Sequence, residues 1–238
     1  MSTTWIIIIG VIAAAILLAF LLAVANFSGD RFLEKYKEFD KIEAYCELTL
    51  LEYFEYLNHK YFDNKIAIVQ ISNLAGDAYS KGKLFLSGNT LSTQSLASYT
   101  IVSHELGHAL QDKEGNKLKM LSRLRKTVRL LGYLFLPSII AGGVLSIIGQ
   151  NLLIPGIALL AFAVLIFMSS LLIKLITISI EKDASKKGLG FLKEVLRDEG
   201  QVKQCKRFLN DAKLTYWGDF LRVILGWTGL SRKTKLFN

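Results

Sequence analysis

Two of the three histidines in this 238-residue chain, His104 and His108, stand four apart in the stretch IVSHELGHAL. Residues i and i+4 of a helix share one face, so the two imidazoles can each present a ring nitrogen to a common point. Two such ligands make half of a tetrahedral metal site, and zinc suits this donor set. Glu105, beside the first histidine, can reach a water activated by the metal and act as general base, because zinc lowers the pKa of a water toward ~7. From Thr100 to Leu110 no other side chain is formally charged, which fits a buried catalytic helix. Gly107 and Ala109 keep that helix slim beside the site.

A catalytic zinc site needs a third protein ligand. The remaining histidine, His59, lies in the polar stretch YLNHKYFDN and reads better as an exposed side chain near a helix end. A carboxylate is therefore expected, and ISIEKDASKKG offers Glu181 and Asp183. Between His108 and these acids the chain runs from Leu130 to Ile173, 44 residues, without a charge. As helix that is about 66 Å, roughly two hydrocarbon cores of ~30 Å. Two spans are expected, Leu131 to Ile148 and Leu152 to Ile173, joined where Gly149, Gln150, Asn151, Pro155 and Gly156 collect. Two crossings return the chain to its starting side and deliver Glu181 to the face that carries the histidines.

The elements that must position these residues follow from composition and periodicity. Half of the residues are apolar (52%), unusual for a soluble protein. No charge precedes Asp30, and Trp5 to Val24 is an apolar run of spanning length. A cleaved signal peptide would want a basic start and a shorter apolar core, so a retained anchor is expected despite the small residues of AVA at 23–25. The net charge of +9 does not point to nucleic acid. The basic stretch KLKMLSRLRKTVR (117–129) abuts the second span, and further lysines and arginines follow the first and third. By the positive-inside rule the N-terminus and the hairpin tip lie outside and the rest is cytoplasmic. Cys46 and Cys205, far apart and without metal-ligand spacing, read as free thiols.

Asp30 to His59 carries apolar residues at helical spacing. KIAIVQIS (65–72) and GKLFLSG (82–88) read as strands of a small antiparallel sheet. The strand Lys83 to Leu86 either aligns an extended substrate by strand addition or is a core strand. Ser92 or Thr93 is expected to cap a helix from about Gln94 to Gln111. Ile176 to Lys187 continues the third span as helix, and amphipathic stretches follow at 190–209 and 214–225, the last lying on the domain or at the membrane interface.

HELGHALQD, a charge-poor hairpin and then E-x-D-A-S resemble the bacterial neutral zinc membrane metallopeptidases. The order of parts fits: an N-terminal span, a short β segment with D-x-Y in GDAYSKGKLFLSG, and a late LTY. The similarity covers most of the chain and is strongest at 101–112 and 181–185. It implies zinc held by His104, His108 and Glu181, with Glu105 catalytic. More distantly the pattern is similar to membrane gluzincins that include the CAAX prenyl proteases and the heat-shock membrane proteases, whose third ligand sits in E-x-x-x-D with the aspartate orienting a histidine. Here Ser185 stands four residues after Glu181, so Asp183, Asp112 or Ser185 is left to hold an imidazole, and Asp183 stands as the alternative third ligand. D-x-Y reads D-A-Y where the family pattern has a histidine in the middle. Tyr216, in the LTY stretch, is the candidate oxyanion donor.

The expected protein is a mainly α integral membrane protein with a small antiparallel β-sheet: a zincin-like metallopeptidase domain with three transmembrane helices. Its parts are an anchor (1–29), a cytoplasmic zincin-like domain (30–130), a transmembrane hairpin (131–173) and a cytoplasmic helical part that completes the metal site (174–238). The expected activity is zinc-dependent hydrolysis of peptides or membrane proteins at the cytoplasmic side of a cell membrane. The alternative is a membrane-anchored zinc-binding or interaction protein without turnover.

Overall fold

A computed structural model describes residues 34–72, 76–115, 117–148 and 150–212. The expected anchor (1–29) and the stretch 214–225, with Tyr216, lie outside the described residues. After a helical stretch at 34–39, α1 (Leu50–Phe62) starts at Thr49, whose hydroxyl accepts from the Glu52 N–H while the Glu52 carboxylate accepts from the Thr49 N–H. This reciprocal cap starts a new helix. The single helix expected over Asp30 to His59 is therefore broken: apolar spacing runs on through residues 40–49, but T-x-x-E at Thr49 marks the restart. The break itself is pinned to a later helix, with the Ala44 N–H on the Gln94 carbonyl and the Leu96 N–H on the Ile42 carbonyl.

Three strands follow: β1 (Ala67–Ile71), β2 (Ala78–Ser80) and β3 (Lys83–Ser87). Their order is β1-β3-β2, with β1 parallel to β3 from Ala67↔Lys83 to Ile71↔Ser87 and β2 antiparallel to it. The sheet is thus mixed, not antiparallel. The three-residue β2 is too short to show an alternation in sequence. It turns back into β3 through Lys81 and Gly82, at φ 49° and 75°, a two-residue turn whose twist matches its strands. That hairpin occupies one side of β3, and β1 fills the other side in the same direction. β3 is therefore central and has no free edge for a substrate, so of the two readings of Lys83 to Leu86 the core strand holds. Leu84 and Leu86 point into the core with Tyr53, Leu57, Leu96, Val102, Leu106 and Leu192.

A short α2 (Gly88–Ser92) leads to α3 (Leu96–Glu114), capped not by Ser92 or Thr93 but by Ser95, whose side chain accepts from the Ser98 N–H. Then come α4 (Lys117–Gly132), α5 (Phe135–Ile148), a 3₁₀ turn (Gln150–Leu152) and α6 (Leu153–Val195), 43 residues without interruption. The expected amphipathic stretch 190–209 is split: α6 ends at Val195 and α7 (199–212) begins after Asp198. Two helical stretches, Leu118–Ile148 and Leu153–Val195, are long and apolar enough to cross a membrane. They cross closely because Gly142 and Gly156 face each other: a Cβ on Gly142 would stand 2.8 Å from the Gly156 carbonyl oxygen, whereas Gly143 faces open space. Between Leu130 and Ile173 their outer surfaces are apolar, with Ile147 85% and Ile154 79% exposed. Cys46 and Cys205 are free thiols.

Candidate metal centre

α3 and α6 build the site. Along α6, Glu181, Ala184, Ser185 and Gly188 recur at helical spacing, and the last three are buried. Along α3, Ser103, His104, Gly107 and His108 form the facing stripe. The two helices meet through their glycines. A Cβ on Gly107 would lie 2.3 Å from the Ala184 carbonyl oxygen, and one on Gly188 would lie 2.7 Å from the Ser103 carbonyl oxygen. Neither position admits a side chain at this separation, so backbone contact sets how near Glu181 comes to the histidines. Lys187 closes the crossing from outside, donating to both oxygens of Glu114 at 2.8 and 2.9 Å.

At the crossing, one oxygen of Glu181, Oε2, lies 3.3 Å from His104 Nε2 and 3.2 Å from His108 Nε2. The imidazoles are nearly perpendicular, at 80°, so both ring edges face that point. The donor atoms of the three residues all lie within 4.8 Å of one another. Zinc held tetrahedrally at ~2.0–2.1 Å sets its ligand atoms about 3.3 Å apart. Two edges of such a tetrahedron are therefore in place, and the donor set of two neutral imidazoles and one carboxylate fits zinc.

The outer ring nitrogens are held as well. His108 Nδ1 lies 3.0 Å from Gln111 Oε1, and Gln111 Nε2 donates to the Ile180 carbonyl and to Asp183 Oδ2, both at 2.8 Å. Because the amide nitrogen is spent on two acceptors, its oxygen must accept, which puts the proton on Nδ1 and leaves the Nε2 lone pair for a metal. His104 Nδ1 meets Ser185 Oγ at 3.3 Å. Of the three residues expected to orient an imidazole, Ser185 lies against His104, Asp183 reaches His108 through Gln111, and Asp112 accepts from the Tyr79 hydroxyl at 3.0 Å. Sequence reasoning missed Gln111, although its place three residues after His108, on the same helix face, was a usable signal. His59 is exposed on α1, away from the cluster.

Glu105 Oε2 accepts the Tyr79 N–H at 2.8 Å. Burial lifts its carboxyl above the ordinary value, against the pull of His108 and His104. At His108 burial penalises the charged imidazole, yet the hydrogen bond to Glu181 and the charges of Glu105 and Glu181 prevail and push it up to about 9. Burial also penalises the Glu181 carboxylate, but hydrogen bonds from both imidazoles hold it well below the usual range. The electrostatics ask for positive charge where the three donors converge. A proton meets that demand partly, and a divalent cation meets it better.

Residues 5–229 match the family model described as "Putative neutral zinc metallopeptidase". The chain belongs to this family. No curated protein and no solved structure matches it significantly. Family and geometry agree on zinc, with His104, His108 and Glu181 as the cluster of the neutral zinc metallopeptidase and H-E-x-x-H plus a later glutamate as its pattern. The enzyme is a hydrolase. Asp183 is not part of the cluster, since its carboxylate accepts from Gln111 and faces Lys187 at 3.6 Å.

Proposed function

We propose that this metallopeptidase cuts peptide bonds as a membrane-embedded endopeptidase, with His104, His108 and Glu181 holding zinc and Glu105 as general base. The observation that carries the reading is the single Glu181 oxygen set at about one tetrahedral edge from both Nε2 atoms. When bound there, zinc supplies a water of lowered pKa and a charge that polarises a carbonyl. Glu105 takes the proton of the attacking water and passes it to the leaving amine. Its enclosure favours this, because a raised pKa makes the carboxylate a better acceptor. The Tyr79 N–H holds one oxygen of the carboxylate and leaves the other to handle the proton. Ser185 and Gln111 keep both imidazoles facing inward.

The outer edge of β2 is the better substrate guide. The Tyr79 N–H points to Glu105, so the Tyr79 carbonyl, on the same side of the strand, is offered to an extended chain laid beside the catalytic carboxylate. In the membrane reading, α5 and the first half of α6 form a hairpin with lipid-facing isoleucines and leucines, and the first span expected within 1–29 precedes them. Glu181 lies eight residues beyond Ile173, about 12 Å along the helix, just under the inner surface. The basic α4 and the lysines after the third span favour the cytoplasmic side.

Glu105→Gln tests the assignment. The variant is expected to retain one zinc per chain by metal analysis and to lose about 10²–10⁴-fold in peptide hydrolysis. Cleavage at the parent rate would reject Glu105 as the base.

A further inference from the structure

A groove of about 500 Å³ opens beside the centre, floored by Ala109 and Asp112 of α3 and walled by Tyr79 of β2. Ala109 is one turn past Glu105, and the Tyr79 N–H is bonded to the Glu105 carboxylate. Tyr79 therefore belongs to both places: it lines the groove and holds the carboxylate beside which a peptide would be cut. Its rim is basic: Lys65, Lys81, Lys113 and Lys119 line it, against Asp63 and Asp112. Asp63 is already engaged, by Lys65 at 3.2 Å and Lys113 at 4.0 Å. Asp112 accepts from the Tyr79 hydroxyl. Among the described residues no carboxylate pairs with Lys81 or Lys119, both exposed.

We infer that this groove selects substrates carrying an acidic side chain a few residues to one side of the scissile bond, with Lys81 and Lys119 as the specificity-determining residues. The inference rests on the proposed peptidase reading and names its substrate class. Distance supports it. Asp112 and Lys113 lie seven and eight residues past Glu105 on α3, roughly 10–12 Å along the axis. An extended peptide covers that in about three residues at ~3.3 Å each, so the acidic position is the second to fourth from the cut. A phospholipid headgroup is the other anion of suitable charge. Tyr79, however, lines the groove and holds the catalytic carboxylate through its N–H, which favours a peptide over a headgroup.

Binding and cleavage separate this inference from the reading beneath it. Full-length Glu105→Gln protein in detergent is titrated, by fluorescence anisotropy, with labelled dodecapeptides that differ only in Glu, Ala or Lys at positions two to four from a central bond, on either side. The Glu peptides are expected to bind about five- to ten-fold tighter than the Lys peptides on one side only at ~0.1 M salt. The gap should close toward 1 M salt, where the Debye length falls to ~3 Å. Adding K81E and K119E should invert the ranking, a reversal that loss of folding cannot produce. Equal binding of Glu and Lys peptides overturns the inference, as does an unchanged ranking in the charge-reversed protein. It is also overturned if the reversal abolishes binding to vesicles of anionic lipid while the peptide ranking stays. Failure of parent protein with Glu105 intact to hydrolyse any of these peptides would instead reject the peptidase reading and leave the charge ranking to be judged from binding.

Discussion

The two halves of α6 are one unbroken helix put to opposite uses. In the first half the large side chains face outward, with Leu165 64% and Val164 59% exposed, and only small or central residues such as Gly156, Ala163 and Ile166 are covered. In the second half Ala184, Ser185, Gly188, Phe191 and Leu192 are covered, and charged residues take the outside. The first half buries little and must find its apolar partner elsewhere. The second half packs on α3 and places one carboxylate oxygen between two imidazoles. Because no hinge interrupts the helix, whatever fixes the first half also orients Glu181. The apolar half leaves its large side chains uncovered, and the polar half brings a carboxylate to the histidines.

The comparison breaks most completely at Glu181. Glu181→Ala leaves two ligands and should drop zinc content from one per chain to near none at micromolar metal, with hydrolysis lost. Retention of zinc by this variant, and its loss in Asp183→Ala, would transfer the third ligand to Asp183. Next in size is a contrast two residues apart. Gly188→Val forces a side chain against the Ser103 carbonyl and should spread α3 from α6, abolishing zinc binding and activity. Gly190, where an added Cβ meets nothing within 4 Å, should accept Ala with zinc affinity unchanged and stability raised by about 0.5–1 kcal/mol. Equal effects at the two positions would mean that close approach does not set the site.

Smaller effects sharpen the picture. Gln111→Ala should weaken zinc affinity about 10–100-fold by freeing the His108 ring, whereas Asp183→Asn, one bond further out, should cost less. Competition with a chelator measures both. Proton linkage gives a further check. The His108 pKa is raised to about 9 from an ordinary 6.5, so the stability it contributes is present below pH 6.5 and is lost as pH rises toward 9. Zinc-free protein should therefore unfold at lower temperature at pH 9 than at pH 6.5. The zinc-loaded protein, its His108 already deprotonated by the metal, should not show that loss. An unchanged melting temperature of the zinc-free form across this range would argue against the Glu181–His108 contact.

Much of the centre was legible because its signals are local. HELGH shows helical spacing within five residues, and Glu181 needed only the expectation that the uncharged run from Leu130 to Ile173 doubles back, as α5 and α6 do. The sheet was less legible. β2 is three residues long, and the parallel pairing of β1 with β3 depends on which side of β3 the Lys81–Gly82 hairpin occupies, which no alternation pattern records. The break before α1 was written at Thr49 and Glu52 but masked by an apolar spacing that runs through it. Asp112 was open as a partner for an imidazole, yet the arrival of β2 gave it the Tyr79 hydroxyl, a contact between distant segments that no local pattern records.

The amino-acid sequence by itself determined the chemistry available: two imidazoles and a carboxylate on one helix face, a second carboxylate after an uncharged run, and apolar segments of spanning length. Those are properties of spacing and composition, and they hold before any long-range contact forms. Tertiary structure decided between Glu181 and Asp183 as the carboxylate facing the histidines, recruited Gln111 and Ser185 to orient them, and set β2 beside Glu105. These outcomes depend on how closely and at what rotation α3 meets α6, which backbone contact at Gly107 and Gly188 sets.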